Sequence, residues 1–185
     1  MDFDLSEEQR LLKDSVDGLL ADSYDFEQRK KYAAEKDGWS RQVWGKLAEQ
    51  GLLGLPFSEN DGGFGAGAVE TAIVMESLGR SLVLEPYLTT VVIGGGFLRH
   101  GASAEQKAAH IPSIIDGSNT LAFAQLEKNS RYDLADVSTT AKKKGDGWVI
   151  RGEKFVVLHG DSASTLIVTA RTSGGQRDRD GIGVF

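Results

Sequence analysis

The sequence predicts an α+β chain in two segregated halves, an N-terminal all-α helical domain followed by an antiparallel β-domain. Three observations carry this. Apolar residues recur at helical spacing through the first part of the chain, the period changes from about 3.6 to 2 near Asn119, and the charge balance changes sign at the same place. Before residue 118 there are 11 Lys+Arg against 19 Asp+Glu, a net of −8, whereas Ser118 to Phe185 has 10 against 8, a net of +2. The expected domains are therefore 1–117, helical, and 118–185, built on strands.

The elements follow in order. Ser6-Glu7-Glu8-Gln9 is a capping box, able to satisfy the free N–H groups at a helix start. Leu11, Leu12, Val16, Leu19 and Leu20 then form one apolar face, predicting a helix from about Ser6 to Ala21. Residues 23–38 are charged and mixed and read as a linker with a frayed turn. A second helix starts at Ser40, buries Val43, Trp44 and Leu47, and stops at Gly51, where a left-handed C-cap is cheap. Six glycines and one proline mark Gly51 to Gly67 as an extended loop.

A third helix over Ala68–Leu78 carries apolar residues around most of its circumference and should be deeply buried. A fourth would use Tyr87 to Leu98. Its Gly94-Gly95-Gly96 run costs roughly 1 kcal/mol per residue relative to alanine, so either the helix is interrupted or another backbone comes close. Ser103 to Gln106 is a second capping box, opening a short helix expected to end before Pro112. Thr120–Gln125, Ser138–Lys144, Trp148–Arg151 and Thr165–Arg171 read as strands, with Gly145-Asp146-Gly147 as a turn. Gly181 to Phe185 looks like the beginning of another strand, in a β-domain read as incomplete.

Composition narrows the function classes. With 185 residues, 40% hydrophobic and 26% charged, the chain reads as ordinary globular protein with room for a substantial core. A net charge of −6 argues against nucleic-acid binding. The longest apolar runs fall far short of the ~20 residues that span a bilayer, which argues against a membrane role. The acidic start Met1-Asp2-Phe3-Asp4 has no leader character, giving a cytoplasmic expectation. Zero cysteines exclude disulfides and thiolate sites, and His100, His110 and His159 are scattered, so no metal is expected.

The order of local signals goes further. Phe3 to Gln9 before an amphipathic helix, Trp44-Gly-Lys-Leu-Ala-Glu-Gln-Gly51 leading to Leu55-Pro56, Asp61-Gly-Gly-Phe-Gly65 and Glu76-Ser-Leu-Gly-Arg80 resemble the acyl-CoA dehydrogenase family. Gly101 to Lys107, Ile111-Pro112, Asp116-Gly117 and Lys144-Gly-Asp-Gly-Trp148-Val-Ile-Arg-Gly152-Glu-Lys154 continue the resemblance along essentially the whole chain. It implies a helical first domain, a middle β-domain and a final helical bundle, with FAD between the last two. The reaction implied removes a Cα proton and a Cβ hydride from an acyl-CoA thioester, leaving a 2-enoyl-CoA. The base resembles a glutamate of the final bundle, which lies outside these residues, so no catalytic residue is assigned.

By the same resemblance, Phe123, Gln125, Leu126, Val156, Val157 and Leu158 are the candidate FAD-binding residues; Arg131 and Tyr132 are the candidate substrate-binding or subunit-contact residues, with a plain surface-loop role as the equal alternative. Here the chain departs from the pattern. Leu126 stands where the family has threonine, Arg131-Tyr132 replaces a small Gly-Ser pair, and Val156-Val157-Leu158 replaces a Trp-Ile-Thr/Ser stretch, so neither leucine offers a hydroxyl. Backbone N–H groups at these positions do not depend on side-chain identity. Phe123-Ala-Gln, Ser130 to Val137 and Val156-Val-Leu resemble the small subunits of two-subunit members of the family, of pimeloyl-CoA dehydrogenase type. That implies an oligomer with a larger acyl-CoA dehydrogenase subunit. The alternative is a non-catalytic assembly partner.

Four further features have a functional and a bland reading. Asp61 to Gly65 lacks the lysine and strand of a phosphate loop and reads as a plain connection. Lys142-Lys143-Lys144 reads as a solvated run beside a turn rather than a phosphate contact. His159 is either a cofactor donor or, more often for a lone histidine, a structural residue. Gly94 to Gly96 either lines an acyl channel, by the resemblance, or allows tight helix packing.

Overall fold

The computed structural model describes residues 4–185; the opening Met1 to Phe3, part of the leader and family readings, lies outside them. The chain forms two compact units, one ending at Thr120 and the other running from Leu121.

In the first unit, α1 (Glu7–Ser23) begins at Ser6, whose Oγ accepts from the Gln9 N–H while the Gln9 side chain returns the bond, the capping box expected. Val16, Leu19 and Leu20 are buried, but Leu11 is 63% exposed, so the apolar face is narrower than its spacing implies. The charged stretch expected to be a linker contains a helix, α2 (Phe26–Ala33), capped by Asp25, which accepts from the Gln28 N–H at 2.7 Å. None of its residues is buried, which is why hydrophobic periodicity could not reveal it.

Helix α3 (Arg41–Glu49) starts from Ser40 and buries Val43, Trp44 and Leu47; Gly51 follows at φ +75°. The glycine-rich stretch holds two short tight helical turns, Leu52–Gly54 and Glu59–Asp61. Helix α4 (Ala68–Arg80) packs on α1, with the Ser77 hydroxyl donating to Asp17 at 2.6 Å and Gln9 Nε2 donating to Glu70 at 2.7 Å. It is buried on one side only, through Ile73, Val74, Ser77 and Leu78, while Val69 is 52% exposed.

The expected fourth helix is interrupted. Leu88–Gly94 winds as a wide π-type helix and passes into α5 (Gly95–Gly101). A Cβ on Gly95 would lie 2.8 Å from the Phe57 ring, so this glycine serves close helix packing against a fully buried aromatic.

Helix α6 (Ala104–Ile115) does not stop before Pro112 but contains it. Proline removes one helix bond at about 3 kcal/mol. The flanking Ile111 and Ile114 are both 0% exposed, and burying each contributes ~1.5–3 kcal/mol, enough to carry the helix through.

The second unit is a five-stranded sheet of β1 (Leu121–Ala124), β2 (Thr140–Lys144), β3 (Gly147–Arg151), β4 (Thr165–Arg171) and β5 (Ile182–Val184). Each expected strand is present within two residues at either end. The sheet is mixed rather than antiparallel throughout: β4 pairs in parallel with β1 and β2, while β2–β3 and β4–β5 are antiparallel. A period of 2 identifies a strand but not its neighbour's direction. The stretch separating β1 from β4 includes the β2–β3 hairpin and is long enough for the crossover that a parallel pair requires.

Arg171, at the end of β4 and 6% exposed, replaces a carboxylate partner with a cage of backbone carbonyls. Its guanidinium donates to Val137, Ala135, Asp180, Gln176 and Asp178 at 2.8–3.2 Å, tying the 135–137 strap and the 173–181 loop to the sheet.

Candidate functional site

The site forms at the carboxyl end of β1, where two irregular segments are stitched together. The Phe155 N–H donates to the Leu126 carbonyl at 2.7 Å, and the preceding residue, Lys154, reaches the Gln125 carbonyl at 3.1 Å. Neither segment is a strand at these positions. Behind them lies an ion pair, Lys154 Nζ to Glu127 Oε1 at 2.8 Å, whose side chains are 8% and 6% exposed.

This pair is fully satisfied. Lys154 also donates to Thr169 Oγ1 at 3.1 Å. Glu127 Oε1 accepts from the Thr139 N–H at 3.0 Å, and Oε2 accepts from the Ser138 N–H at 2.8 Å and from the Ser138 hydroxyl. Burial alone would raise the Glu127 carboxyl, but the bonds from Lys154, Ser138 and Thr139 prevail and hold it at about 2.

In front of the pair is an exposed apolar face. Leu126 is 38% exposed, Phe155 51%, Val156 67% and Leu158 57%. Ala124, Val157, Gly160, Leu166 and Val168, with the charged Lys154 and Asp161, line an adjoining open concavity. Among the described residues, the backbone N–H groups of Leu126, Val157 and Leu158 make no hydrogen bond within the protein. Val156 is held at φ +49°, a left-handed conformation that β-branched residues rarely adopt. Unpaired backbone donors therefore lie beside exposed apolar side chains, a combination that can serve a planar group with oxygen and nitrogen acceptors.

The family model of the acyl-CoA dehydrogenase N-terminal domain matches residues 6–118, and that of the acyl-CoA dehydrogenase middle domain matches residues 122–185. This chain belongs to the acyl-CoA dehydrogenase family. The probable acyl-CoA dehydrogenase YngJ of Bacillus subtilis is 28% identical over 183 residues, 98% of this chain and 47% of its own. The acyl-CoA dehydrogenase FadE12 of Mycobacterium tuberculosis is 31% identical over 170 residues, covering 90% and 43%. Among solved structures, a chain of the ChsE4-ChsE5 complex from M. tuberculosis superposes with a TM-score of 0.85 at 27% identity, over all of this chain and 48% of that one. PigA with FAD and proline gives 0.87 at 25% identity, over 100% and 49%. The chain thus spans about half the length of the acyl-CoA dehydrogenases it matches.

Within this acyl-CoA dehydrogenase unit, the structure joins the Gln125-Leu126 segment to the one leading into Val156, Val157 and Leu158, with Phe123 two residues earlier in β1. The surface fits a flavin through its backbone donors and apolar side chains, and lacks the two hydroxyls at Leu126 and Leu158. Arg131 and Tyr132 follow buried Ser130, whose hydroxyl accepts from the Glu127 N–H and donates to the Glu127 carbonyl. Arg131 is left-handed at φ +45°, and Tyr132 is 98% exposed.

The N–H groups of Gly63, Phe64 and Gly65 all bond to carbonyls of residues 54–58, leaving none for a phosphate. Lys142 to Lys144 are exposed along β2. The His159 carbonyl accepts from the Ala163 N–H at 2.9 Å in the turn before β4; burial lowers its imidazole pKa, with Asp161 opposing. Sequence reasoning missed Glu127 and Lys154 as site residues. Neither stretch carries a local signal for the pair: Glu127 is followed by Lys128-Asn129 and Lys154 is preceded by Gly152-Glu153, and the partners are 27 residues apart. Among the described residues, no helix is long and apolar enough to cross a membrane.

Proposed function

We propose that this chain is the flavin-facing part of a cytoplasmic acyl-CoA dehydrogenase, of the kind in which a pimeloyl-CoA dehydrogenase-type small subunit assembles with a larger sister subunit. It takes part in α,β-dehydrogenation of an acyl-CoA thioester to the 2-enoyl-CoA. The observation that supports this best is the stitched pair of segments, in which the Leu126, Val157 and Leu158 N–H groups make no hydrogen bond within the described residues and lie beside exposed apolar side chains. FAD, when bound, supplies the acceptor for the Cβ hydride.

The chain's own residues bind, orient and exclude water. The three N–H groups serve as donors to ring oxygens and nitrogens, and Phe155, Val156 and Leu158 cover the ring with apolar surface. Phe123 in β1, and Gln125 just after it, support the same segment. Arg131 offers a cation, and Tyr132 a flat amphipathic ring, to a CoA thioester or to the neighbouring subunit. Glu127 is not the base for the Cα proton: a carboxylate held at about 2 is too weak an acceptor at neutral pH.

A second reading is favoured by Leu126 and Leu158, which carry no hydroxyl: the chain positions a catalytic sister subunit and leaves the flavin chemistry to it. Colour separates the two. The chain is purified alone and after co-expression with the larger subunit, and the flavin absorption bands are recorded. Bands from the chain alone support the first reading, bands only with the partner support the second, and none in either case removes flavin from both. By itself the chain is expected not to oxidise a saturated acyl-CoA above a boiled control.

A further inference from the structure

A buried ion pair is a costly way to stabilise a β-unit, since well-packed apolar side chains of similar volume often do as well. What apolar side chains cannot do is aim. The Lys154 ammonium directs its hydrogens at three places: the Gln125 carbonyl at 3.1 Å, Glu127 Oε1 at 2.8 Å and Thr169 Oγ1 in β4 at 3.1 Å. Phe155, the next residue, donates to the Leu126 carbonyl at 2.7 Å. Consecutive residues of one irregular segment are thereby fixed to consecutive residues of the other.

The residue that follows is Val156, at φ +49°. A β-branched residue keeps such a conformation only where its surroundings impose it. Beyond it come the free N–H groups of Val157 and Leu158, and across the stitch that of Leu126. With leucine at 126 and 158, neither position offers a hydroxyl, so the mutual placement of the backbone donors weighs more on affinity.

We propose that the Lys154–Glu127 pair is a positioning device that sets the spacing of the 125–126 and 155–158 segments, so that the Leu126, Val157 and Leu158 N–H groups form one pre-organised donor set. Its ligand rests on the flavin reading above; its action on the backbone does not. Pre-organisation lowers the ordering cost of binding, which is how a site short of side-chain donors retains affinity.

Segment-resolved hydrogen exchange on the whole chain tests the backbone part without flavin. In Lys154→Met the Phe155 amide should exchange at least tenfold faster, with the helical unit and the loops caged by Arg171 unchanged. A wild-type rate at Phe155 would overturn the proposal. Should Lys154→Met fail to fold, Thr169→Val removes a single acceptor and should give a smaller acceleration confined to the same amide; no acceleration overturns the proposal equally.

Titration with FAD, read by flavin fluorescence, tests the ligand part. Lys154→Met is expected to weaken Kd at least tenfold and shift the bound flavin bands, with partial recovery in Lys154→Arg. Equal affinity in wild type and Lys154→Met overturns the positioning role. A wild-type chain that binds no FAD, with or without the larger subunit, while Phe155 still accelerates in Lys154→Met, removes the flavin reading and supports the device itself.

Discussion

Between pH 4.5 and 2, protonation of Glu127 will remove on the order of 3 kcal/mol from the stability of the β-unit. The folded carboxyl is held at about 2, against an ordinary 4.5. Because the folded value is the lower, the contribution is complete above pH 4.5 and is lost as the pH falls toward 2, at about 1.4 kcal/mol per unit. The Glu127 side chain is 6% exposed, so solvent screening takes little from this figure. Glu127→Gln keeps the shape and one acceptor oxygen but leaves Lys154 buried without a counter-charge, costing about 3–5 kcal/mol at neutral pH. Urea midpoints of both proteins, followed by hydrogen exchange over residues 121–185, would be compared at neutral pH and at acid pH. The gap should be widest at neutral pH and narrow below pH 4.5, because the wild type there loses the charge that the variant already lacks. A gap of constant size down to about pH 3 would refute the claim that this carboxylate is ionised and paired in the folded state.

Three other outcomes are expected. Gly152→Ala would place a Cβ 2.6 Å from the Thr139 Cα and 2.3 Å from its Oγ1, a clash with backbone; thermal melting should show a loss of about 2–3 kcal/mol in the β-unit. Val156→Gly relieves a left-handed backbone at a side chain 67% exposed, and the strain of roughly 1–2 kcal/mol exceeds the added chain entropy of about 0.5–1, so the melting temperature should rise slightly while FAD affinity falls. Glu85 is buried, its Oε2 has no hydrogen-bond partner among the described residues, and burial raises its pKa against the opposing bonds from Tyr24 and the Ser40 and Leu84 N–H groups. A raised folded value means that stability is lost as pH rises through it; Glu85→Gln should therefore melt higher than wild type in mild alkali and equally in acid, and a lower midpoint in alkali would contradict this.

How far the fold could be read depended on where its signals lie along the chain. Ser6 and Ser103 announce their helices because both partners of each capping box are three residues apart, and β1 and β4 show as short apolar or β-branched runs of four and seven residues. What escaped was decided elsewhere. Helix α2 rests on Asp25 and local polar bonds with no buried residue, and Pro112 stays helical because Ile111 and Ile114 reach a core made by other elements. Strand direction in β1 and β4 follows from a crossover, which no local period records.

The site divides along the same line. The FAD candidates at 123–126 and 156–158 were legible only through resemblance, and the side-chain identities there point away from the usual contacts. Their backbone points the other way, because a free N–H is set by φ, ψ and neighbouring bonds, and Lys154 sets those bonds from 27 residues beyond Glu127. Losing a hydroxyl at Leu126 or Leu158 removes one donor and leaves the rest in place. Losing the ammonium at Lys154 releases Gln125, Glu127 and Thr169 together, so its replacement disturbs both segments at once.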